Sequence, residues 1–155
     1  MLLVKTYLDK SKIHGIGVFA AERIPKDTKI WRFVEGYDHA WTPKQFARLP
    51  KQARAFLQDY AYKVDGEILF TVDNDRHINH SETPNTYLKA GYAIARRTIA
   101  KGEEITNDYR EFDPALCAAF LNDEDGQPAT KAKTKQKKPA KKSAKKNAKK
   151  KAKTK

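Results

Sequence analysis

Apolar positions in the first third of the chain come in short bursts separated by turn residues. Leu2 to Leu8 reads as a strand, Ser11 to Gly17 as a glycine-bearing turn, and Val18 to Ala20 as a resumed extended run. Ile24 to Asp27 is another turn. Thr28 to Val34, with Ile30, Trp31, Phe33 and Val34, has the β-branched and aromatic content of a strand, and Gly36 stops it. The period then changes. Thr42-Pro43 predicts an N-cap followed by proline at the first helical position, with Phe46 and Leu49 on one face. Pro50 restarts a second helix through Ala53, Phe56, Leu57 and Tyr60, a 3.6-residue pattern. Asp65-Gly66, between Tyr60–Val64 and Ile68–Val72, predicts a tight hairpin. Asp73 to Asn85 is polar and reads as a functional loop. Two strands, Tyr87–Leu88 and Tyr92–Arg97, flank Ala90-Gly91. Ile99 to Gly102 is a turn, Glu104 to Tyr109 is short and extended, and Asp113 caps a C-terminal helix through Leu116, Phe120 and Leu121. The fold class expected is mainly β with a few short helices.

Composition divides the chain in two. From Lys131 to Lys155 there are 14 lysines, no arginine and no acid. Removing them from the 32 basic residues leaves 18 against 19 acids, so the net charge of +13 becomes −1 for residues 1–130. A near-neutral body, residues 1–122, therefore precedes a Lys/Ala-rich tail, residues 123–155, which repeats every four residues near its end. With no apolar side chain larger than alanine after Lys131, the tail is expected to be disordered by itself. This excludes a uniformly basic nucleic-acid-binding fold, while leaving a tail that binds DNA or RNA. The lone Cys117 excludes an internal disulfide and a cysteine zinc cluster, and His77 and His80, three apart, have no obvious further ligand; no metal is expected. The apolar run in MLLVKTYLDK is too short for a signal-peptide core, and no run approaches about 18 residues. An intracellular protein with no membrane partner is the expectation.

Three segments carry candidate chemistry. His14-Gly15-Ile16-Gly17 places two glycines where backbone can approach a ligand, though the same residues serve in a plain strand–turn–strand; with Ala20 at the third glycine position it is not the dinucleotide fingerprint. Arg76 to Asn85 crowds Asn79, His80 and Asn85, whose donors and acceptors suit either an adenine edge or a loop capping its own backbone. Gly102 to Tyr109 ends on Tyr109, a hydroxyl able to orient a nucleophile, or a core aromatic.

In this order, S-K-I-H-G-I-G-V-F-A, R-H-I-N-H-S-E-T-P-N and G-E-E-I-T-N-D-Y resemble the three motifs of SET-domain protein lysine methyltransferases, over about Leu3 to Phe112. The resemblance implies a β-clip fold of small sheets with a C-terminal pseudoknot that brings the Asn79-His80 segment to Tyr109. It implies S-adenosylmethionine bound by His14, Gly15, Ile16, Gly17, Arg76, Asn79, His80 and Tyr109. Tyr109 and Tyr60 become the catalytic pair, and Tyr60, Tyr62, Asn107 and Phe112 line the substrate-lysine channel. Departures are His77 for the usual aromatic, Glu82 for the common cysteine, and Asn107 where Phe or Tyr influences how many methyl groups are added. No cysteine-rich segment follows Tyr109, so Phe112 to Leu121 would close the channel.

Under that resemblance the chain transfers methyl groups to a lysine of a protein substrate that is DNA-associated or histone-like. The tail resembles those of linker histones and bacterial histone-like proteins and places the enzyme on DNA or RNA by phosphate contacts; self-methylation and simple solubilisation are its other readings. By family analogy the small body implies a bacterial or viral source, with the cytoplasm and nucleoid as its place, or the nucleus in a eukaryote. The rival reading is a non-catalytic nucleoid-binding protein on a SET-like scaffold. The sequence is silent on oligomeric state.

Overall fold

A computed structural model describes residues 1–115. Two antiparallel strands open it, β1 (Thr6–Lys10) and β2 (Ile16–Ala20), in register from Thr6 opposite Ala20 to Lys10 opposite Ile16. β3 (Lys29–Arg32) and β4 (His39–Trp41) follow, then the helices α1 (Pro43–Ala47) and α2 (Lys51–Tyr60). Thr42 caps α1 as its sequence implies. Its hydroxyl accepts from the Gln45 N–H at 3.3 Å while the Gln45 side chain accepts from the Thr42 N–H at 2.9 Å, a full capping box. Pro50 starts α2, where its missing N–H costs nothing.

Six short strands complete the described fold. β5 (Tyr62–Val64) and β6 (Glu67–Phe70) form the hairpin that Asp65-Gly66 predicts, and both turn residues take positive φ, 50° and 84°. β7 is Asn79–His80, β8 Thr86–Lys89, β9 Tyr92–Ala95 and β10 Thr106–Asn107. The β8–β9 hairpin turns through Ala90 and Gly91, at φ 49° and 77°.

The sheets are small. β3-β9-β8 and β4-β6-β5 are three-stranded and antiparallel, β1-β2 is a hairpin, and β7-β10 is a two-residue parallel pair. The core lies where they meet, formed by Val18, Ala20, Ile24, Ile30, Ile78, Ala95, Ile99 and Ile105. The last strand crosses to the polar segment as expected: Thr106 stands opposite Asn79 and Asn107 opposite His80, and the Ser81 N–H donates to the Asn107 carbonyl at 2.9 Å.

Several expectations change at this level. Strand β1 begins at Thr6, and Leu2 makes only an isolated bridge to Trp31. Strand β4 lacks a strand signal in sequence because its apolar content is one alanine and one tryptophan; it exists by pairing with β6. Within the polar segment Asn79, His80 and Asn85 are buried, 5%, 2% and 2% exposed, while Glu82 and Thr83 stay on the surface. Tyr109 stands not in a strand but at the start of a 3-10 turn, Tyr109–Glu111, capped by the Asp108 side chain. Asp113 does begin a cap, accepting from the Ala115 N–H at 3.1 Å, while its other oxygen accepts from the Lys63 N–H at 2.8 Å. The remainder of that helix, Cys117 and the tail lie outside the described residues. No described helix is long and apolar enough to cross a membrane.

Candidate active site

The polar crossing is held together by Asn85. Its Oδ1 accepts from the Thr106 N–H at 2.9 Å and its Nδ2 donates to the Glu104 carbonyl at 2.7 Å, so one carboxamide replaces a missing strand neighbour. Of the alternatives open in sequence, Asn85 takes the structural one and locks the segment. Thr86 adds a bond from its hydroxyl to the Thr106 carbonyl at 2.8 Å.

His80 is buried behind the crossing. The Tyr109 N–H donates to its Nδ1 at 3.2 Å, which leaves Nε2 carrying the proton and facing Glu82 at 3.1 Å. Hydrogen bonding to His80, together with the nearby Arg110 guanidinium, holds the Glu82 carboxyl below the ordinary carboxylate range. Arg110 does the same for Asp108 through a hydrogen bond at 2.8 Å. These charges form a polar cover over the outer edge of the imidazole.

On the inner side, the Tyr109 hydroxyl donates to the Ile78 carbonyl at 2.7 Å. Its ring packs between His80, at 5.5 Å between centroids, and Phe112 at 5.4 Å. Phe112 continues to Tyr62 at 5.1 Å, edge-on. Tyr60, the last residue of α2, packs on Phe56 at 5.1 Å and His77 at 5.9 Å, with the Arg76 guanidinium 5.9 Å from its ring. Arg76 is itself tethered, donating to the Val72 and Asp73 carbonyls at 2.6 and 2.9 Å.

Tyr60, Tyr62, Arg76, His77, Ile78, Tyr109 and Phe112 border one cavity of about 740 Å³, a size that suits a small-molecule ligand. His14, Gly15, Ile16, Arg76 and Asn79 line it, and so do Tyr60, Tyr62, Asn107, Tyr109 and Phe112. Of the residues singled out in sequence, Gly17 and His80 do not: Gly17 packs against Glu104, and His80 stands behind Tyr109. The cavity also has a wall the sequence reading missed, made by Trp31 and Phe33 with Leu88 to Gly91 and Ala93 of the β8–β9 hairpin. Alternation of Trp31 and Phe33 along a strand was the available signal. Nothing in sequence singled out the acids Asp59 and Asp75.

Protonation follows from burial. The Tyr62 phenol is pushed well above its usual range, first by burial and then by the carboxylates of Asp75, Asp38 and Asp73, so it stays neutral at physiological pH. Asp75 is raised from 3.8 to about 7 by burial and by the neighbouring Asp73. His77 is lowered by burial and by Arg76, leaving a neutral ring against Tyr60. The aromatic end of the cavity thus presents the neutral Tyr62 phenol and His77 ring, and the opposite end backbone and amide groups. Among the described residues no group of three or more His, Cys, Asp or Glu side chains could hold a metal ion.

Comparison with known proteins points to one family. The chain is 29% identical over 134 residues to human histone-lysine N-methyltransferase 2D, covering 74% of this chain and 2% of that one. It is 30% identical over 113 residues to histone-lysine N-methyltransferase set-2 of Caenorhabditis elegans, covering 65% and 7%. The chain therefore spans only a small part of these relatives' length. Among solved structures, a candidate histone methyltransferase from Plasmodium falciparum superposes with a TM-score of 0.51 at 25% identity, over 70% of this chain and 95% of that one. The Chaetomium thermophilum Polycomb Repressive Complex 2 shares the fold, with a TM-score of 0.55 at 21% identity over 74% and 16%. The SET domain model matches residues 15–110. That match spans more than half of the sequence, and the chain belongs to the SET-domain family.

Proposed function

We propose that the chain is a protein-lysine N-methyltransferase that uses S-adenosylmethionine. The observation that carries this reading is that one cavity joins the His14–Ile16 backbone and Asn79 to Tyr60, Tyr62, Tyr109 and Phe112. The residues fit such a donor. Three oxygen acceptors surround the Asn79 Nδ2, which leaves its Oδ1 to receive a ligand donor. The carboxylate of Asp59 borders the same cavity and favours a cationic guest.

When bound, S-adenosylmethionine supplies a methyl group carried on a sulfonium. The remaining work falls to the chain's own side chains, and it consists of alignment and desolvation. A free lysine amine has a pKa near about 10.4. The aromatic surroundings of Tyr60, Tyr62 and Phe112 disfavour its charged form, so the attacking neutral amine becomes more populated. The Tyr109 hydroxyl has its proton committed to the Ile78 carbonyl, so its oxygen lone pairs are what it offers an incoming N–H.

The substrate in this reading is a lysine on a DNA-associated or histone-like protein, and residues 131–155 hold the enzyme to DNA or RNA. The names of the histone-lysine methyltransferase relatives support the first part, and the 14 lysines of the tail the second. This arrangement would act in the nucleus or on a nucleoid. Calorimetric titration with S-adenosylmethionine, followed by mass spectrometry of a lysine-bearing histone peptide, tests the reading. Saturable binding and a gain of 14 Da multiples on the peptide (roughly one per methyl group) are expected. Absence of donor binding would overturn it in favour of a non-catalytic scaffold.

A further inference from the structure

Beyond accepting from Asn79, the Glu104 carboxylate has no part in the function just described, yet it sits at the junction of two cavity-lining segments. The Ser11 hydroxyl lies 2.9 Å from both of its oxygens, and the Asn79 Nδ2 donates to Oε1 at 2.8 Å. Ser11 passes the connection on, because its oxygen also accepts from the N–H groups of Ile13 and His14 at 2.8 and 3.2 Å. Asn79 closes the loop by donating to the His14 and Ile16 carbonyls at 3.0 and 3.2 Å. A single carboxylate thereby fixes both sides of the cavity's polar end. Ser11 and Asn79 are 9% and 5% exposed, so the network is largely shielded from water and its bonds are correspondingly directional.

Gly17 takes its meaning from the same carboxylate. A Cβ at this position would overlap Oε1 of Glu104 and stand 2.7 Å from Cδ. Gly17 has no positive φ and does not line the cavity, so neither backbone strain nor ligand approach explains a glycine here. Room for Glu104 does.

We propose that Glu104 is the positioning residue of the methyl-donor site: it holds the Asn79 carboxamide and the Ser11–Ile16 turn in the arrangement that receives the donor, and Gly17 is glycine to admit it. The proposal rests on the donor reading of the cavity. Glu104 itself touches no reacting atom.

The test combines four variants, Glu104→Ala, Glu104→Gln, Gly17→Ala and the double variant Gly17→Ala/Glu104→Ala, with two readouts. These are the S-adenosylmethionine dissociation constant by calorimetry and the split of KM for the lysine peptide from KM for the donor. Thermal melting identifies variants that fold. Glu104→Ala is expected to weaken donor binding roughly 10- to 100-fold, the loss of hydrogen bonds to a charged group, with the peptide KM unchanged. Glu104→Gln keeps an acceptor for Asn79 and Ser11 and is expected to retain affinity within about threefold. Gly17→Ala displaces the carboxylate and weakens donor binding in the parent, but adds nothing once Glu104 is alanine. If Glu104→Ala fails to fold, a folded Gly17→Ala decides the matter. Parent-like donor affinity in folded Glu104→Ala or folded Gly17→Ala, or strictly additive losses in the double variant, would overturn the proposal while the donor reading stands. A parent protein that does not bind S-adenosylmethionine would overturn both.

Discussion

The Tyr109 hydroxyl and the Ile78 carbonyl, 31 residues apart in sequence, meet in a hydrogen bond of 2.7 Å. Ile78 is a core residue, 3% exposed, so the bond fastens the last tyrosine of the third motif to the framework under the second. Tyr109→Phe removes it while leaving the ring between His80 and Phe112. The stability loss should be about 1 kcal/mol, and methyl transfer should fall by roughly 10²-fold through loss of alignment. Initial rates beside a thermal melt check this, and full activity in the folded variant would remove Tyr109 from the proposed catalytic role.

Asp75 gives a pH signature of stability. Its carboxyl is raised from 3.8 to about 7 in the folded chain. Between those values the native state holds a proton that the unfolded chain has released, so stability falls as pH rises from about 4 to about 7 and levels above it. Asp75→Asn removes the titrating group. The variant should melt above the parent at pH 8, and the gap should close towards pH 4. An equal gap at both pH values would contradict the burial of this acid.

Asn107 lines the cavity, and its Oδ1 accepts from the hydroxyl of Thr86, which is 1% exposed. Asn107→Phe exchanges a tethered polar group for a larger apolar one. Thr86 keeps the Thr106 carbonyl as an acceptor, so the fold should persist with a loss of about 1 kcal/mol or less. The distribution among mono-, di- and trimethyl-lysine should shift, read by mass spectrometry of the product. An unchanged distribution would separate Asn107 from product control.

Residues 131–155 carry 14 lysines. Retention of the intact chain on DNA should weaken steeply with salt, log affinity falling with a slope of about −0.9 per phosphate neutralised. Deleting these residues should abolish most retention and leave donor binding unaltered. Undiminished retention after deletion would place the DNA contact on the body instead.

Much of the fold was legible in the chain because its signals are local. Thr42-Pro43 marks a capped helix start, Asp65-Gly66 and Gly91 mark hairpins by tolerating positive φ, and the lysine run stands apart in charge. The three motifs also brought His14, Gly15, Ile16, Arg76, Asn79, Asn107 and Tyr109 of the cavity to notice, since each segment has its own characteristic residues. Tertiary structure alone decided which of those residues face the cavity. His80 and Gly17 belong to the motifs yet turn to Tyr109 and Glu104, whereas Trp31 of β3 and Phe33 just after it arrive from a segment that carries no motif. It also decided what Asn85 and Glu104 do, because a carboxamide that binds its own backbone and one that binds a ligand read alike in sequence. The physical reason is range. Capping and turn chemistry act over a few residues and are written where they act, while the β7–β10 pairing joins segments 27 residues apart and assigns each polar side chain its partner only when the crossing forms.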